Sequence, residues 1–392
     1  MFQRELTPTL QKCISSFPVT VLTGPRQSGK TTLLRYLFPS YGYYSLENPE
    51  TLLKVKADVK AFLNRHPQGM IIDEAQAMPE IFSYIQSIVD EEKRPGQFIL
   101  SGSQNFLLIE KVSQTLAGRT ALLELLPLSH KEYVSWSDMP ELSIWETLYS
   151  GGYPRIFEQK LDQRIWYSSY IQTYLERDVR NLLNVKDLIK FRQFLSLCAG
   201  RHGQLLNMNE LGNDAGISHT TVKEWLALLE ASFITYRLAP HFNNFNKQVV
   251  KTPKLYFYDS GLVCQLLGIE SANHLSQHVT RGAIFEGYII SEVMKWYLSH
   301  GLKAPLYFWR SRTGIEVDLL IDRAGSLTVL EIKSGQTLTT DMLKPLRQWQ
   351  KVVPTSNCHL VYGGNENFRQ GDIQVNSWLT QPEAIIESSF DD

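Results

Sequence analysis

The segment from Gly24 to Thr31 constrains the fold of this chain more than any other. It reads Gly-Pro-Arg-Gln-Ser-Gly-Lys-Thr and fits G-x-x-x-x-G-K-[ST], the pattern of a loop whose backbone N–H groups wrap phosphates. An apolar run at 19–22 precedes it and predicts a buried strand, and residues 31–37 after it predict a helix. Because strand, loop and helix follow in this order, the segment predicts a P-loop in an α/β domain.

This loop predicts ATP and Mg²⁺ as cofactors. A helix N-terminus attracts phosphate through its free N–H groups and its dipole. We expect Lys30 to reach the β- and γ-phosphates and the Thr31 hydroxyl to ligate Mg²⁺. The predicted nucleotide-binding residues of this segment are Gly24, Pro25, Arg26, Gln27, Ser28, Gly29, Lys30, Thr31 and Thr32.

Two further apolar runs end in polar residues that suit the same site. Residues 69–76 read Gly-Met-Ile-Ile-Asp-Glu-Ala-Gln, and ligands of an open parallel sheet lie at the carboxyl ends of its strands. Asp73 is therefore a predicted ligand of the same Mg²⁺, and Glu74 is predicted to polarise the water that attacks the γ-phosphate. Ser103 and Gln104, after the strand predicted at 97–100, are candidate γ-phosphate sensors, with a plain polar turn as the alternative.

Arg119 is a candidate arginine finger near the end of the α/β domain. A finger of this kind acts across a subunit boundary, so this interpretation goes together with a homo-oligomer. Arg177 and Arg180 are alternatives, although Glu176 and Arg180 at i, i+4 also fit a surface ion pair.

A second set of chemical groups lies near the C-terminus. A helix predicted from residue 284 carries Glu286, a strand at 316–321 carries Asp318, and a strand at 327–335 contains Glu331 and Lys333 on one face. Two acidic strand positions followed by a lysine suit metal-assisted phosphodiester hydrolysis. In that interpretation Asp318 and Glu331 bind Mg²⁺ and Lys333 stabilises charge. The alternative is a hairpin with solvated charges.

Residues 200 to about 260 predict a winged helix. A short helix at 209–215, a Gly-Ile-Ser turn and a second helix at 219–231 come before two predicted strands. In versions that bind DNA, the start of the second helix enters the major groove. The candidate DNA contacts are His219, Thr220, Thr221 and Lys223. A winged helix that serves only as a scaffold is the alternative.

Composition narrows the class of protein. The 392 residues carry a net charge of −1, which argues against a uniformly basic nucleic-acid binder but allows local basic patches. The four cysteines form no C-x-x-C pair, so we expect a reducing cytoplasm. We see no signal peptide and no run of about 18 apolar residues, so we expect no membrane span.

Nearly the whole chain resembles a family of bacterial and archaeal AAA+-type ATPases whose C-terminal domain is related to restriction endonucleases. The matching segments are 24–31, 71–76, 100–103, 116–119, 151–154, 174–179, 258–262, 282–286, 314–318 and 331–335. The resemblance implies an ATPase core, a winged helix and a PD-(D/E)XK nuclease-like fold, with Glu286, Asp318, Glu331 and Lys333 at the nuclease-fold positions. His130 departs from the aromatic residue that the family usually has, and we expect it to act in packing only.

The sequence therefore predicts an α/β protein in four parts: a P-loop AAA+-type ATPase core at 1–129, a helical lid at 130–200, a winged helix at 201–265 and a restriction-endonuclease-like α/β domain at 266–392. The first functional hypothesis is an ATPase whose turnover is coupled to DNA binding and to remodelling or metal-dependent cleavage of DNA. The alternative is a nucleotide-dependent switch whose nuclease-like domain is an inactive recognition or assembly module. A complete acid–acid–lysine set favours the first hypothesis, and the near-neutral charge favours the second.

Overall fold

The computed structural model describes residues 3–103, 112, 114–136, 140–175, 187–241, 251–311 and 314–387. These residues fall into two units. The first contains the chain up to Leu128 with the short segments 231–233 and 297–303, and the second contains the remainder. Among the described residues, no helix has both the length and the apolar character needed to cross a membrane.

The first unit is built on a parallel sheet. Its strands are β1 (Val19–Thr23), β2 (Gly42–Ser45), β3 (Met70–Asp73), β4 (Phe98–Gly102) and β5 (Thr120–Glu124). They lie in the order β2-β3-β4-β1-β5, and each neighbouring pair is parallel. The order places β4 between β1, which leads into the P-loop, and β3, which ends at Asp73. The parallel α/β architecture predicted for this region is confirmed.

Helices bury both faces of this sheet, as parallel sheets require. They are α1 (Thr7–Ser16), α2 (Lys30–Leu37), α3 (Pro49–Ala57), α4 (Val59–Leu63) and α5 (Ile81–Glu92). Val21, Ile72 and Leu100 pack into one core, while the alternate residues Ile71 and Ile99 pack into the other. This two-residue alternation explains why the central strands β1, β3 and β4 carry apolar residues on both faces.

The second unit combines helices with a long mixed sheet. The helices are α6 (His130–Val134), α7 (Ile144–Ser150), α8 (Pro154–Glu158), α9 (Gln163–Tyr170), α10 (Leu188–Gly200), α11 (Met208–Ala215), α12 (His219–Ala231), α13 (Ser260–Leu266), α14 (Ala272–Gln277), α15 (Arg281–Ser299), α16 (Lys344–Gln350) and α17 (Pro382–Glu387). The strands are β6 (Gln204–Leu205), β7 (Thr235–Pro240), β8 (Lys254–Phe257), β9 (Leu306–Arg310), β10 (Glu316–Arg323), β11 (Ser326–Lys333), β12 (Asn357–Tyr362), β13 (Phe368–Gln370) and β14 (Ile373–Ser377).

This sheet has the order β13-β14-β12-β11-β10-β9-β7-β8-β6. Strands β9, β10 and β11 pair antiparallel, and β12 and β14 then add parallel to β11. A parallel pairing of Ala239 and Pro240 in β7 with Tyr307 and Phe308 in β9 joins the two halves. The sequence analysis assigned some of these strands to a winged helix and others to a separate C-terminal domain, whereas the structure places them in one sheet. The domain boundaries between residues 200 and 201 and between residues 265 and 266 stay predictions.

The helices predicted over 209–215 and 219–231 are present as α11 and α12. Gly216 ends α11 in the left-handed conformation, with φ of 62°, where a glycine carries no steric cost. Ser218 Oγ accepts the Thr221 N–H at 3.1 Å and so caps α12. Val222, Trp225 and Leu229 of α12 are buried. Local propensity and a buried stripe therefore define this pair of helices.

Two of the sequence motifs meet in a structural contact. The buried Asp259 caps α13 by accepting the Leu262 N–H at 2.9 Å, and it also accepts the Gly152 N–H and the Tyr167 hydroxyl at 2.8 and 2.7 Å. Segments 151–154 and 258–262 are thus held together by one buried carboxylate. The His130 ring contacts the Trp378 ring at a tilt of 54°, with ring centroids 5.2 Å apart, in keeping with the packing role expected for it.

Candidate functional site

The P-loop follows β1 and is held closely against β5. Gly24 has φ of +144°, and a Cβ at this position would lie 2.2 Å from Leu125 O, so no other side chain fits there. Gly29 takes φ of 95° and starts α2. The two glycines fixed by the motif therefore form the bends that the loop needs between strand and helix.

Lys30 is buried at the start of α2 and points back into the loop. Its Nζ donates hydrogen bonds to Gly24 O and Pro25 O, both at 2.8 Å. Burial lowers the pKa of Lys30 to about 8, against the opposing effect of the Glu74 and Asp73 carboxylates. The ammonium is held on uncharged carbonyl oxygens, so an anion at the loop offers it a stronger partner.

Asp73 ends β3 and collects hydrogen bonds from three segments. Its Oδ2 accepts the hydroxyls of Thr31 and Tyr43, each at 2.8 Å, and its Oδ1 accepts the Ser101 hydroxyl at 2.6 Å. Thr31 and Asp73 are thus neighbours, as the sequence predicts for two ligands of one ion. The sequence analysis missed Tyr43 and Ser101, although Ser101 lies near the carboxyl end of β4, where site residues collect.

Glu74 follows Asp73 in a left-handed conformation, with φ of 53°, which is uncommon for a residue with a side chain. The Gln76 amide donates to Glu74 Oε2 at 2.5 Å, and the Ser103 hydroxyl donates to the same oxygen at 3.3 Å. Burial raises the pKa of Glu74 above its ordinary value, while Lys30 opposes that shift. Ser103, predicted as a phosphate sensor, therefore contacts the predicted general base.

These groups fit a nucleotide with Mg²⁺. Thr31 and Asp73 supply hydroxyl and carboxylate oxygens, the ligand types that Mg²⁺ prefers. The close approach at Gly24 leaves a backbone cradle, and Lys30 brings a buried positive charge to it. Of the other predicted contacts, Ser28 is buried in the loop and Thr32 is exposed. Arg26 Nη1 lies 3.6 Å from Glu47 Oε1.

Arg4 is a further residue of this site that the sequence analysis missed. Its guanidinium donates to Ser28 O in the P-loop at 2.7 Å and to Leu126 O after β5 at 2.6 Å. Arg4 is only 5% exposed. A buried arginine therefore ties the phosphate-binding loop to the segment after the edge strand. It precedes the motif by about twenty residues, so no local pattern marks it.

Arg119 is paired with another residue of its own unit. Its Nη2 donates to Asp90 Oδ2 at 2.9 Å, its Nε donates to Asp90 Oδ1, and both side chains are partly exposed. A role for Arg119 as a finger stays a prediction, and it requires the Asp90 pair to open. Arg177 and Arg180 lie outside the described residues, as does the second candidate phosphate sensor, Gln104.

The second predicted set comes together on β10 and β11. Lys333 Nζ lies 3.3 Å from Asp318 Oδ2 and 2.5 Å from Glu331 Oε1. Asp318 Oδ2 also accepts the Ile332 N–H at 2.8 Å. Burial and the nearby Asp318 carboxylate raise the pKa of Glu331 above its ordinary value. The predicted pairing of an acidic strand with an E-x-K strand is therefore present as one contact cluster.

Glu286 on α15 reaches the same region but has a partner that the sequence did not predict. Its Oε1 lies 3.0 Å from Nζ of Lys254 on β8 and also accepts the Tyr256 hydroxyl. Lys254 Nζ lies 2.5 Å from Glu316 Oε1, and Arg310 approaches the other Glu316 oxygen at 3.3 Å. Burial would lower the pKa of Lys254, but the carboxylates of Glu286, Asp318 and Glu316 raise it above its ordinary value.

In this arrangement the carboxylates do not form a ready metal site. The described residues contain no group of three or more His, Cys, Asp or Glu placed to hold a metal ion. Lys254 and Lys333 instead supply the positive charge among these acids. The prediction that Asp318 and Glu331 bind Mg²⁺ therefore remains a prediction, and the geometry as it stands does not fit the ion.

The predicted DNA contacts lie at the start of α12. His219, Thr220 and Lys223 are exposed. Thr221 is half-buried, and its hydroxyl lies 2.8 Å from Ser218 Oγ in the helix cap. Three of the four candidates are therefore accessible, while Thr221 takes part in the local capping contacts.

Comparison with known proteins adds three domain matches. Residues 16–134 match a family described as an AAA domain, and residues 141–273 and 281–380 match domains of unknown function, DUF8612 and DUF4143. The AAA match covers the P-loop, Asp73, Glu74 and Ser103. It supports ATPase activity for the first unit.

Two of the relatives that the chain matches are proteins of Mycobacterium tuberculosis and Haemophilus influenzae. The uncharacterized protein Rv2008c of Mycobacterium tuberculosis is 31% identical over 378 residues, which span 95% of this chain and 82% of that protein. An uncharacterized protein of Haemophilus influenzae is 24% identical and covers 66% of this chain and 72% of its own. Among solved structures, a Walker-type ATPase of Pyrococcus abyssi superposes with a TM-score of 0.48 at 16% identity, covering 68% of this chain and 96% of that one.

Proposed function

The chain belongs to the protein family of Rv2008c from Mycobacterium tuberculosis, and on that premise we propose that it is a Mg²⁺-dependent ATPase whose turnover drives the binding and processing of DNA. The observation that carries the ATPase part is the contact of Thr31 with Asp73 beside the buried Lys30. Bound Mg²⁺ would supply positive charge against the charge that develops on the transferred phosphate. Thr31 and Asp73 would hold it.

Other residues of the proposed ATPase site have separate roles in nucleotide binding and hydrolysis. Lys30 exchanges the carbonyl oxygens of Gly24 and Pro25 for phosphate oxygens, which are stronger partners for an ammonium. Glu74 accepts a proton from the attacking water, and Gln76 and Ser103 hold its carboxylate in place before the nucleotide binds. Arg119, released from Asp90, is the proposed finger in a neighbouring copy of a homo-oligomer.

The DNA part of the proposal draws on the second unit. Helices α11 and α12, joined by a tight turn and followed by the antiparallel pair β7 and β8, support a winged helix. Its exposed His219, Thr220 and Lys223 suit contacts with base edges and phosphates at a helix start. A major-groove interaction at this surface is the proposed mode of binding.

The order of α15, β9, β10, β11, α16 and β12 supports a nuclease-like region with Asp318, Glu331 and Lys333 at its centre. Cleavage is the part of the proposal that needs rearrangement, because lysine ammonium groups neutralise the acids as they lie. That same observation favours the second candidate function, a nucleotide-dependent switch in which this region recognises a partner without cutting it.

One experiment separates the two candidates. Labelled duplex, single-stranded and branched DNA are incubated with the full chain and Mg²⁺ or Mn²⁺, with and without ATP, beside the variants Glu74→Gln and Asp318→Ala. DNA binding that ATP strengthens and salt weakens, with a slope of about 0.9 per phosphate contact on duplex DNA, supports DNA processing. ATP hydrolysis without DNA binding in any condition would support the second candidate, a nucleotide-dependent switch.

A matched pair of variants tests the proposed DNA surface. Lys223→Ala should weaken binding and lower the salt slope by about 1, whereas Lys54→Ala, which removes an exposed lysine on α3 of the first unit, should leave both unchanged. Equal binding by Lys223→Ala and the parent would mark α12 as a scaffold helix.

A further inference from the structure

Lys254 lies among the acidic side chains of the second site although it comes from a separate segment of the sequence. It begins β8, which is connected through β7 to β9, the neighbour of β10. Its Nζ lies 3.0 Å from Glu286 Oε1 and 2.5 Å from Glu316 Oε1. The side chain is 4% exposed, so the ammonium is enclosed by protein.

A buried ammonium is costly unless charged partners replace its water. Glu286 and Glu316 provide that replacement for Lys254, and the Phe308 ring lies beneath it at 5.5 Å from Nζ to the centroid. The partners are carboxylate oxygens supplied by a helix and by a strand. Those are the ligand types that a hard divalent cation takes from a protein.

We propose that Lys254 is an internal cation that occupies the metal position beside Glu286, so that Mg²⁺ or Mn²⁺ enters this site only when the ammonium is displaced. The proposal rests on the nuclease-like site of the proposed function and states how that site is regulated. Lys333 is the second ammonium of the cluster, but it belongs to the E-x-K strand and lies on Asp318 and Glu331. Lys254 is the one that comes from outside that set.

A charge count supports the assignment. Glu286, Glu316, Asp318 and Glu331 face Lys254, Lys333 and Arg310 in this cluster. Removal of the Lys254 ammonium would leave four carboxyl groups facing two cations, which increases the negative charge available to a divalent ion. Glu331 Oε2, in the neighbouring part of the cluster, is buried without a hydrogen-bond partner among the described residues.

The test is Mn²⁺ binding by the full chain without nucleotide, followed by electron paramagnetic resonance of the free ion. Lys254→Met keeps the length of the side chain and removes its charge. It should bind Mn²⁺ about tenfold more tightly than the parent, or better, since a like charge within about 4 Å is removed. Lys251→Met, an exposed control close in sequence, should bind as the parent does. Adding Asp318→Asn to Lys254→Met should abolish the gain.

A folded Lys254→Met variant with parental Mn²⁺ affinity overturns the proposal. If that variant does not fold, Lys254→Gln removes the charge and keeps a hydrogen-bond donor toward Glu286 and Glu316. It should also tighten Mn²⁺ binding, and an unchanged or weaker affinity would contradict the proposal. ATPase activity measured on the same proteins tests the proposed function separately, because none of these substitutions touches the P-loop.

Discussion

Thr31 Oγ1 donates a 2.8 Å hydrogen bond to Asp73 Oδ2, and this contact joins the start of α2 to the end of β3. The two strands that lead to these residues are not neighbours, because β4 lies between them. Ser101 at the end of β4 completes the link by donating to Asp73 Oδ1 at 2.6 Å. Three adjacent strands of one parallel sheet thus converge on a single carboxylate, and the Mg²⁺ site of the proposed ATPase depends on that convergence.

Replacing Lys30 by alanine should abolish nucleotide binding. Lys30 Nζ is the buried cation of the P-loop, and alanine offers phosphates no positive charge. Equilibrium binding of a fluorescent ATP analogue measures the effect, with the exposed Lys54→Ala of α3 as the control. Retention of near-parental affinity by a folded Lys30→Ala variant would contradict the assignment of this loop.

Glu74→Gln should bind ATP and hydrolyse it slower by a factor of about 10², the scale of general-base loss. Glutamine keeps the shape and the contacts with Gln76 and Ser103 but cannot take a proton from water. Single-turnover hydrolysis and nucleotide binding, measured on the same preparation, separate the two effects. A hydrolysis rate equal to that of the parent would remove Glu74 from the mechanism.

The sequence predicted those parts of the site that lie within one short segment. Lys30 and Thr31 follow from the loop motif, and Asp73 and Glu74 follow from an apolar run with an acidic end. Their positions are fixed by local geometry together with the rule that parallel strands end at one edge. The alternation that placed Glu331 and Lys333 on one face of β11 follows in the same way.

Residues that reach a site from a distant segment were not predicted. Arg4 meets the P-loop only because α1 and the segment after β5 pack near it, and Lys254 meets Glu286 only because β7 pairs with β9. Neither pairing leaves a pattern in the sequence around these residues. The sequence therefore predicted Glu286, Asp318, Glu331 and Lys333 of the second site. It predicted neither Lys254 nor its partner Glu316, and the additional ammonium changes what the site is expected to bind.

Arg4→Ala should raise the KM for ATP about tenfold or more while the rate at saturating ATP stays within about twofold. Hydrogen bonds from a charged donor contribute about 1.5–3 kcal/mol each, and both of these fix the loop rather than the reacting atoms. Steady-state kinetics measures the split, and Lys12→Ala on α1 is the exposed control. If Arg4→Ala lowers the melting temperature but leaves KM unchanged, Arg4 has only a structural role.

His202 should make the folded state less stable in acid. Burial lowers the pKa of this imidazole to about 3, and its Nδ1 accepts the Phe257 N–H at 3.2 Å. The unfolded chain takes up a proton at His202 below a pH of about 6.5, while the folded chain does not until a pH near 3. The contribution of His202 to the free energy of unfolding is therefore fully present above the pKa that this residue has in the unfolded chain. It falls as the pH drops through that value, by about 2 kcal/mol at pH 5.

The variant His202→Gln keeps an acceptor for the Phe257 N–H and cannot be protonated in this range. Gly287 on α15 packs so closely that a Cβ there would lie 2.1 Å from His202 Nε2, so a larger replacement for His202 would not fit. Thermal unfolding at pH 7.5 and pH 5 should show a smaller loss for His202→Gln than for the parent. An equal loss in both proteins would mean that other groups, and not His202, set the acid sensitivity of the fold.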